Sequence, residues 1–380
     1  MSMHASINTT SPSSLEHRPD LAFKLPAVTA AAALTNPSPT ESAKKSTNAT
    51  ATATSPRQSV YDAYKRHIDA KIAARPTHST PCVMRRAFQQ EFGFEILGVV
   101  PWYYDEHVSR GCDLHIWGLP GARYLYWFAP SFAEVAGRRS SGYLPEGSPF
   151  SGRIPHAPCL PAVNWTMPPW REFFGRALDT DALLPRPGRP IAMVFNKYTV
   201  EWDGNPVNFF DVDTLRRLLS ALFPVYQIVY VRMESEELGD DSVNLKLADK
   251  AMVRREYPAA VLFEDLYDKA TMDYNLLLFG VAAKTRLFVS VQGGTSVVAS
   301  LWGAPNFIYA TRGKEIQFGD YGWYGQLAGS AVAWYKKREN LVADVSRYSS
   351  RASENGTVEG FTPSLRTKAG KGGKAAQCSN

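Results

Sequence analysis

The chain has 380 residues, 44% of them apolar, and a net charge of +6. That is long enough for two modest domains and too apolar for a wholly disordered protein. Most of the charge sits at the ends, because residues 1–55 carry four Lys/Arg against three Asp/Glu and residues 351–380 five against two. The basic balance belongs to solvated tails, so it argues for no nucleic-acid partner.

Residues 1–55 are rich in Ser, Thr, Ala and Pro, and residues 351–380 in Gly, Lys and Ser. Such segments bury too little apolar surface to offset their ordering entropy, and both are expected as disordered tails. No stretch has the length and apolarity of a membrane span; the best, Leu21 to Leu34, is broken by Lys24 and Pro26. It also starts late for a secretory signal, behind Glu16, Arg18 and Asp20. The expected location is cytoplasmic, an organelle transit peptide being the other reading of the N-terminal composition. Sequons at Asn8, Asn48, Asn164 and Asn355 carry no weight without secretion. Cys82, Cys112, Cys159 and Cys378 are widely spaced, with no CxxC pair and no Cys/His ligand spacing. Free thiols and no zinc site are expected.

Along the folded body, Val60 to Ala74 spaces Tyr61, Tyr64, Ile68 and Ile72 at helical intervals, a lead-in helix on the surface. Phe94 to Val100 reads as a strand ending at Pro101, and Tyr103 to Arg110 as a helix closed by Gly111. Asp113 to Trp117 and Arg123 to Phe128 read as short strands. Residues 140–190 are loaded with Pro, Gly and Arg, a long connection holding a short helix at Trp170 to Ala177. From Pro190 the rhythm is regular. Strands at Ile191 to Phe195, Gln227 to Arg232, Val261 to Leu266, Leu287 to Val291 and Phe307 to Tyr309 alternate with helices. These helices run from Asp211 to Leu222, Val243 to Glu256 and Met272 to Lys284, followed by a short one after Gly294. Ala331 to Trp334 adds a strand and Glu339 to Ser350 a closing helix. The pattern is that of a doubly wound parallel sheet. The predicted division is a tail at 1–55, an irregular α/β part at 56–185, a Rossmann-like domain at 186–350 and a basic tail at 351–380.

Ligands in such sheets bind beyond the carboxyl ends of the strands. This singles out Asn196 and Lys197, then Arg232, then Asp265, then Gln292, Gly293, Gly294, Thr295 and Ser296, and finally Arg312, Lys314 and Glu315. At Gln292-Gly293-Gly294 a glycine turn feeds a helix that Thr295 or Ser296 caps, the geometry that holds anions. The plain alternative is a tight βα turn and nothing more. The loop from Asn196 to Asn208 suits a phosphate or sugar face through Lys197 and its amides, or is an ordered loop anchored by Tyr198 and Trp202. Asp105, Glu106 and His107 offer a general base for an acceptor hydroxyl, against a helix cap by Asp105 with His107 on the surface. His115 reads as a core or edge histidine, and Arg138-Arg139 as a solvated pair. No GxSxG, HExxH or strand-flanked DxD is present, so no metal is called for.

The run from Asp273-Tyr-Asn-Leu-Leu-Leu through Leu287 to Val291, Gln292-Gly-Gly-Thr-Ser and Gly303-Ala-Pro305 resembles the nucleotide-sugar-binding domain of GT-B glycosyltransferases, heptosyltransferase-like and fucosyltransferase-like members in particular. The resemblance covers the C-terminal half. It implies two Rossmann-like halves, the N-terminal one smaller and irregular. It also implies metal-independent transfer of a sugar from a nucleotide-diphosphate donor to a hydroxyl acceptor, the donor being a co-substrate and no cofactor. On that resemblance Gly293, Gly294, Thr295 and Ser296 cradle the diphosphate, and Arg312 or Lys314 neutralises it. The competing expectation is a non-catalytic nucleotide- or sugar-binding module on the same fold.

Overall fold

The computed structural model describes residues 55–75, 83–88, 92–135, 165–175, 177–200, 204–232 and 245–355. Residues 1–54 and 356–380, Arg138-Arg139, Trp202 and the loop Glu234 to Asp241 lie outside the described residues; residues 351–355, expected in the tail, continue the last helix. The first described helix, α1 (Pro56–Ala73), starts from an N-cap at Ser55, whose hydroxyl accepts the Gln58 N–H. It is not the surface helix expected. Tyr61, Tyr64 and Ile68 are 1%, 1% and 0% exposed, because a stripe at this spacing faces a core. Tyr64 lies against Gly280, where an added Cβ would sit 2.8 Å from its ring, and the Asp273 backbone N–H donates to the Tyr61 hydroxyl at 2.6 Å.

The N-terminal half contains a parallel sheet of β1 (Val83–Phe88), β2 (Asp113–Gly118) and β3 (Ser131–Glu134), in that order. Between β1 and β2 the chain is helical, through α2 (Phe92–Phe94), a π-helical turn at Glu95–Val99 and α3 (Val100–Arg110). The strand expected at Phe94 to Val100 is thereby corrected. Residues 95 to 99 are all buried, so the sequence offers no period to read. Pro101 falls where the π-helical turn passes into α3, and the helical ladder lacks its N–H at that junction. Gly111, with φ 64°, closes α3 as expected. Arg123 to Phe128 is no strand either; it forms a 3-10 turn at Arg123–Tyr126 with Tyr124, Leu125 and Tyr126 buried. Cys112 is disulfide-bonded, to a partner outside the described residues. That corrects the expectation of free thiols.

After α4 (Trp170–Phe174) and α5 (Thr180–Leu183) the regular half begins. Its strands are β4 (Ile191–Asn196), β5 (Gln227–Arg232), β6 (Val261–Leu262), β7 (Thr285–Val291), β8 (Asn306–Tyr309) and β9 (Val332–Tyr335). They pair in the order β6-β5-β4-β7-β8-β9, and every pairing is parallel. The expected α/β layout of two parallel units is present, and all carboxyl ends of the larger sheet lie on one edge. The helices are α6 (Val212–Leu222), α7 (Asp249–Glu256), α8 (Tyr274–Lys284), α9 (Gly294–Ser300), α10 (Lys314–Phe318), α11 (Asp320–Ala328) and α12 (Arg338–Asn355). Asp211 and Asp273 cap α6 and α8 through bonds of 2.7 and 2.8 Å from Thr214 N and Leu276 N. No described helix is long and apolar enough to cross a membrane.

Two cores flank the sheet. One face carries Ala192, Val194, Val289 and Phe307 against Leu215 and Leu219 of α6 and Val345 of α12. The other carries Met193, Phe195, Phe288 and Ile308 in a cluster that continues without a break into Tyr64, Tyr103, Leu114 and Trp170. The two halves therefore share one core. Arg171 fastens it, donating from Nε to the Ala283 carbonyl at 3.2 Å and from its two terminal nitrogens to Trp302 and Thr285 carbonyls at 2.9 and 3.0 Å.

Candidate functional site

At the end of β7 the chain turns through Gln292 and Gly293, whose φ of 113° suits glycine, and enters α9. The hydroxyls expected to cap α9 do not. Thr295 Oγ1 donates back to the Val291 carbonyl at 2.9 Å, and Ser296 Oγ to the Gly293 carbonyl at 2.7 Å. What fixes α9 is Asn306, fully buried at the start of β8. Its Oδ1 accepts the Ser290 hydroxyl at 2.8 Å, while its Nδ2 donates to the Ser296 carbonyl and the Ser300 hydroxyl at 3.1 and 3.0 Å. Gly294 faces the N-terminal half, since a Cβ there would lie 3.3 Å from Phe92 Cδ1.

On the other side of the turn stands a polar cluster. Lys197 Nζ donates to Gln292 Oε1 at 3.2 Å, and a Cβ on Gly293 would be 3.4 Å from that ammonium. Gln292 Nε2 donates to Glu315 Oε1 at 2.6 Å. Asn208 Nδ2 also reaches Gln292 Oε1, at 2.9 Å. Lysine has no acceptor, so the amide oxygen of Gln292 must face it and the nitrogen must face the carboxylate. Burial pushes the Glu315 carboxyl above its ordinary range, and the Asp320 charge adds to the rise; the bond from Gln292 and the Lys197 charge oppose it. Its second oxygen is occluded and accepts no bond among the described residues, beneath Gly313, where a Cβ would come within 2.7 Å of it. Arg312, on the loop after β8, and Lys314, the first residue of α10, are exposed.

The remaining expected residues lie elsewhere. Asn196 turns into the sheet, its Oδ1 accepting the Phe210 N–H at 2.8 Å and its Nδ2 donating to the Phe210 carbonyl and the Tyr230 hydroxyl. Arg232 pairs with the fully buried Asp249 at 2.6 Å and also donates to the Leu245 and Leu247 carbonyls. Asp265 pairs with Arg254 at 2.8 Å on the surface. The five side chains Asn196, Arg232, Asp265, Gln292 and Arg312 share an edge but do not converge. A cavity of about 130 Å³, lined by Arg232, Lys250, Phe263 and Tyr274, lies at the ends of β5 and β6. Asp105 Oδ1 accepts from Ser109 Oγ and Thr166 N at 3.0 and 2.8 Å. Glu106 takes the Trp102 indole N–H at 3.3 Å and pairs with Arg110 at 3.2 Å. His107 is buried, with Nδ1 bonded to the Cys112 carbonyl at 2.9 Å. Each of the three has partners inside its own half. His115, half-exposed on β2, bonds Ser131 Oγ at 2.6 Å; it has its partner, but on the central strand of the small sheet and not in the core or at an edge as expected.

The sequence reading held Asn208 only as one amide of the Asn196 to Asn208 loop, with no role of its own, and missed Asn306. The available signal was an amide placed in or next to an apolar run, where burial obliges it to find several partners.

No protein-family model and no curated protein matches the chain. Among solved structures it is similar to the E. coli ADP-heptose LPS heptosyltransferase II, at 7% identity and a TM-score of 0.41 over 72% of this chain and 99% of that one. It is similar to the family 9 glycosyl transferase from Veillonella parvula DSM 2008, at 9% identity and 0.38 over 72% and 91%. The wall teichoic acid polymerase TagF gives 10% identity and 0.32 over 78% and 86%. Likeness of this degree assigns no chemistry to any residue.

Proposed function

We propose that this chain is a glycosyltransferase that binds the diphosphate of a nucleotide-sugar at the Lys197–Gln292–Glu315 cluster and passes the sugar to a hydroxyl acceptor. The observation that carries the reading is the Lys197 ammonium, held over Gly293 by the Gln292 amide at the carboxyl edge of a parallel sheet. A lysine fixed beside a glycine with an open Cα face offers a phosphate a charge and an unobstructed backbone. Lys197 and Arg312 take the charge that develops on the departing phosphate, with no metal ion or further cofactor called on. The cavity beside Tyr274 and Phe263 lies on the same edge and offers aromatic surface to the base. Glu315, the carboxylate of the cluster, exchanges the acceptor's proton once the Gly313 loop uncovers it. Burial favours this, because a raised carboxyl is a better base. Asp105, Glu106 and His107 drop out of that role, since each is engaged within its own half.

The same engagement favours a second reading, a non-catalytic nucleotide- or sugar-binding module. Titration calorimetry with nucleoside diphosphates, alongside a coupled assay for nucleoside diphosphate released from a panel of nucleotide sugars, separates the two. Transfer predicts binding by wild type and Glu315→Gln, with release by wild type alone. Binding without release by either protein leaves the binding module. Absence of binding overturns both.

A further inference from the structure

We propose that Asn208 is a positioning residue that sets where the two cations of this site stand, acting through Gln292 and the Thr311–Arg312 backbone. The inference rests on the reading that Lys197 and Arg312 receive phosphate. Asn208 lies between β4 and α6 and is fully buried. Its Nδ2 donates to Gln292 Oε1 and to the Arg312 carbonyl, both at 2.9 Å. Its Oδ1 accepts the Thr311 N–H at 2.7 Å, the Thr311 hydroxyl at 3.0 Å and the Arg312 N–H at 3.4 Å. Backbone N–H groups only donate, so this orientation of the amide is set by its partners.

Segments that follow three different strands, β4, β7 and β8, thus meet on one side chain. The consequence for Lys197 follows from Gln292. Its Oε1 is shared by Asn208 and the Lys197 ammonium, and its Nε2 is spent on Glu315. The Asn208 donation is one of three bonds that hold that carboxamide, beside those of Lys197 and Glu315. Without it, the Gln292 side chain is tethered only through those two partners, and the ammonium it holds shifts from its place over Gly293. For Arg312, Asn208 holds both backbone groups of the residue, so the direction in which the exposed side chain leaves the loop depends on it. An aspartate keeps the bonds accepted from Thr311 but places a carboxylate on Gln292 Oε1 and on the Arg312 carbonyl.

The test uses full-length protein with inorganic pyrophosphate as the probe, by titration calorimetry well below the melting temperature of each variant. Melting curves are recorded in parallel on wild type, Lys197→Met, Asn208→Ala, Asn208→Asp and Lys197→Met/Asn208→Ala. Both Asn208 variants are expected to weaken pyrophosphate binding by about tenfold, the loss of roughly one charge-assisted contact. The double variant is expected to lose less than the product of the two single effects, because one acts through the other. Should Asn208→Ala not fold, the near-isosteric Asn208→Asp, paired with Lys197→Met, carries the same comparison. Lower melting temperatures with wild-type affinity, or effects that simply multiply, overturn the positioning role while leaving the phosphate reading in place. No pyrophosphate binding by wild type, or unchanged binding by Lys197→Met, overturns the phosphate reading and this inference with it.

Discussion

Glu315 carries the most perturbed side-chain chemistry in the cluster. Burial raises its carboxyl, so the folded chain holds that proton more tightly than the unfolded chain does. The stabilisation this gives is complete below the unfolded glutamate range and fades as pH rises through the folded value. Glu315→Gln stays neutral throughout. The melting temperature of the variant minus that of wild type is therefore expected to grow as pH rises above the unfolded glutamate range, read by scanning fluorimetry. A difference flat above that range means the carboxyl ionises unhindered. Gly294 behaves differently from Gly293 beside it. A valine at Gly294 would press on the Phe92 ring, and overpacking of this kind costs about 1–3 kcal/mol. Gly294→Val is expected to lower the urea midpoint; an unchanged midpoint means the turn and Phe92 move apart freely.

At the scale of elements, α9 owes its position to Asn306 more than to its own seven residues. Asn306→Ala strips the Ser290 hydroxyl of its acceptor and the Ser300 hydroxyl of a donor, and a buried polar group without a partner costs about 1–3 kcal/mol. Lower stability with faster amide exchange in Val297 to Ser300 is expected. Exchange that quickens equally everywhere would mean the network supports the whole fold and not α9 in particular. The elements also show what a sequence discloses. Strand β5 has the bounds read from its apolar run, and α6 begins at the Asp211 cap, whereas the helix read from Met272 begins at Tyr274, behind an unread cap at Asp273. The run Glu95 to Val99 is buried on every side, so strand and helix leave the same trace there. Topology located the edge that carries Lys197, Gln292 and Glu315. It misled for Asn196 and Arg232, which are still inside their strands and register with each other. A strand's last residue obeys the two-residue alternation and can point into the fold as readily as out of it. Asn208 lies between elements, where no periodicity marks a buried amide.

On the whole-molecule scale the shared core decides how the chain unfolds. Trp170, Phe174, Phe279 and Trp302 interlock with ring centroids 5.3–6.3 Å apart, across what composition divides into two domains. A chain of residues 55–355 is expected to melt in one transition. A fragment of residues 186–355, stripped of α1 and α4, is expected to bind a hydrophobic dye and lack a sharp melt. Two resolved transitions in the longer chain, or a cooperative fragment, would mean the halves are independent.

The Arg171 clamp and the Tyr64–Gly280 contact also bear on how such a chain changes over generations. Halves joined by a linker can be traded between relatives as cassettes, each bringing its own specificity. Here the guanidinium must find three carbonyls of the other half, and the tyrosine ring must find a residue without a Cβ. A graft that keeps either half intact but ignores those partners forfeits the fold, so new specificity is reached by altering the loops after the strands, with both halves inherited together.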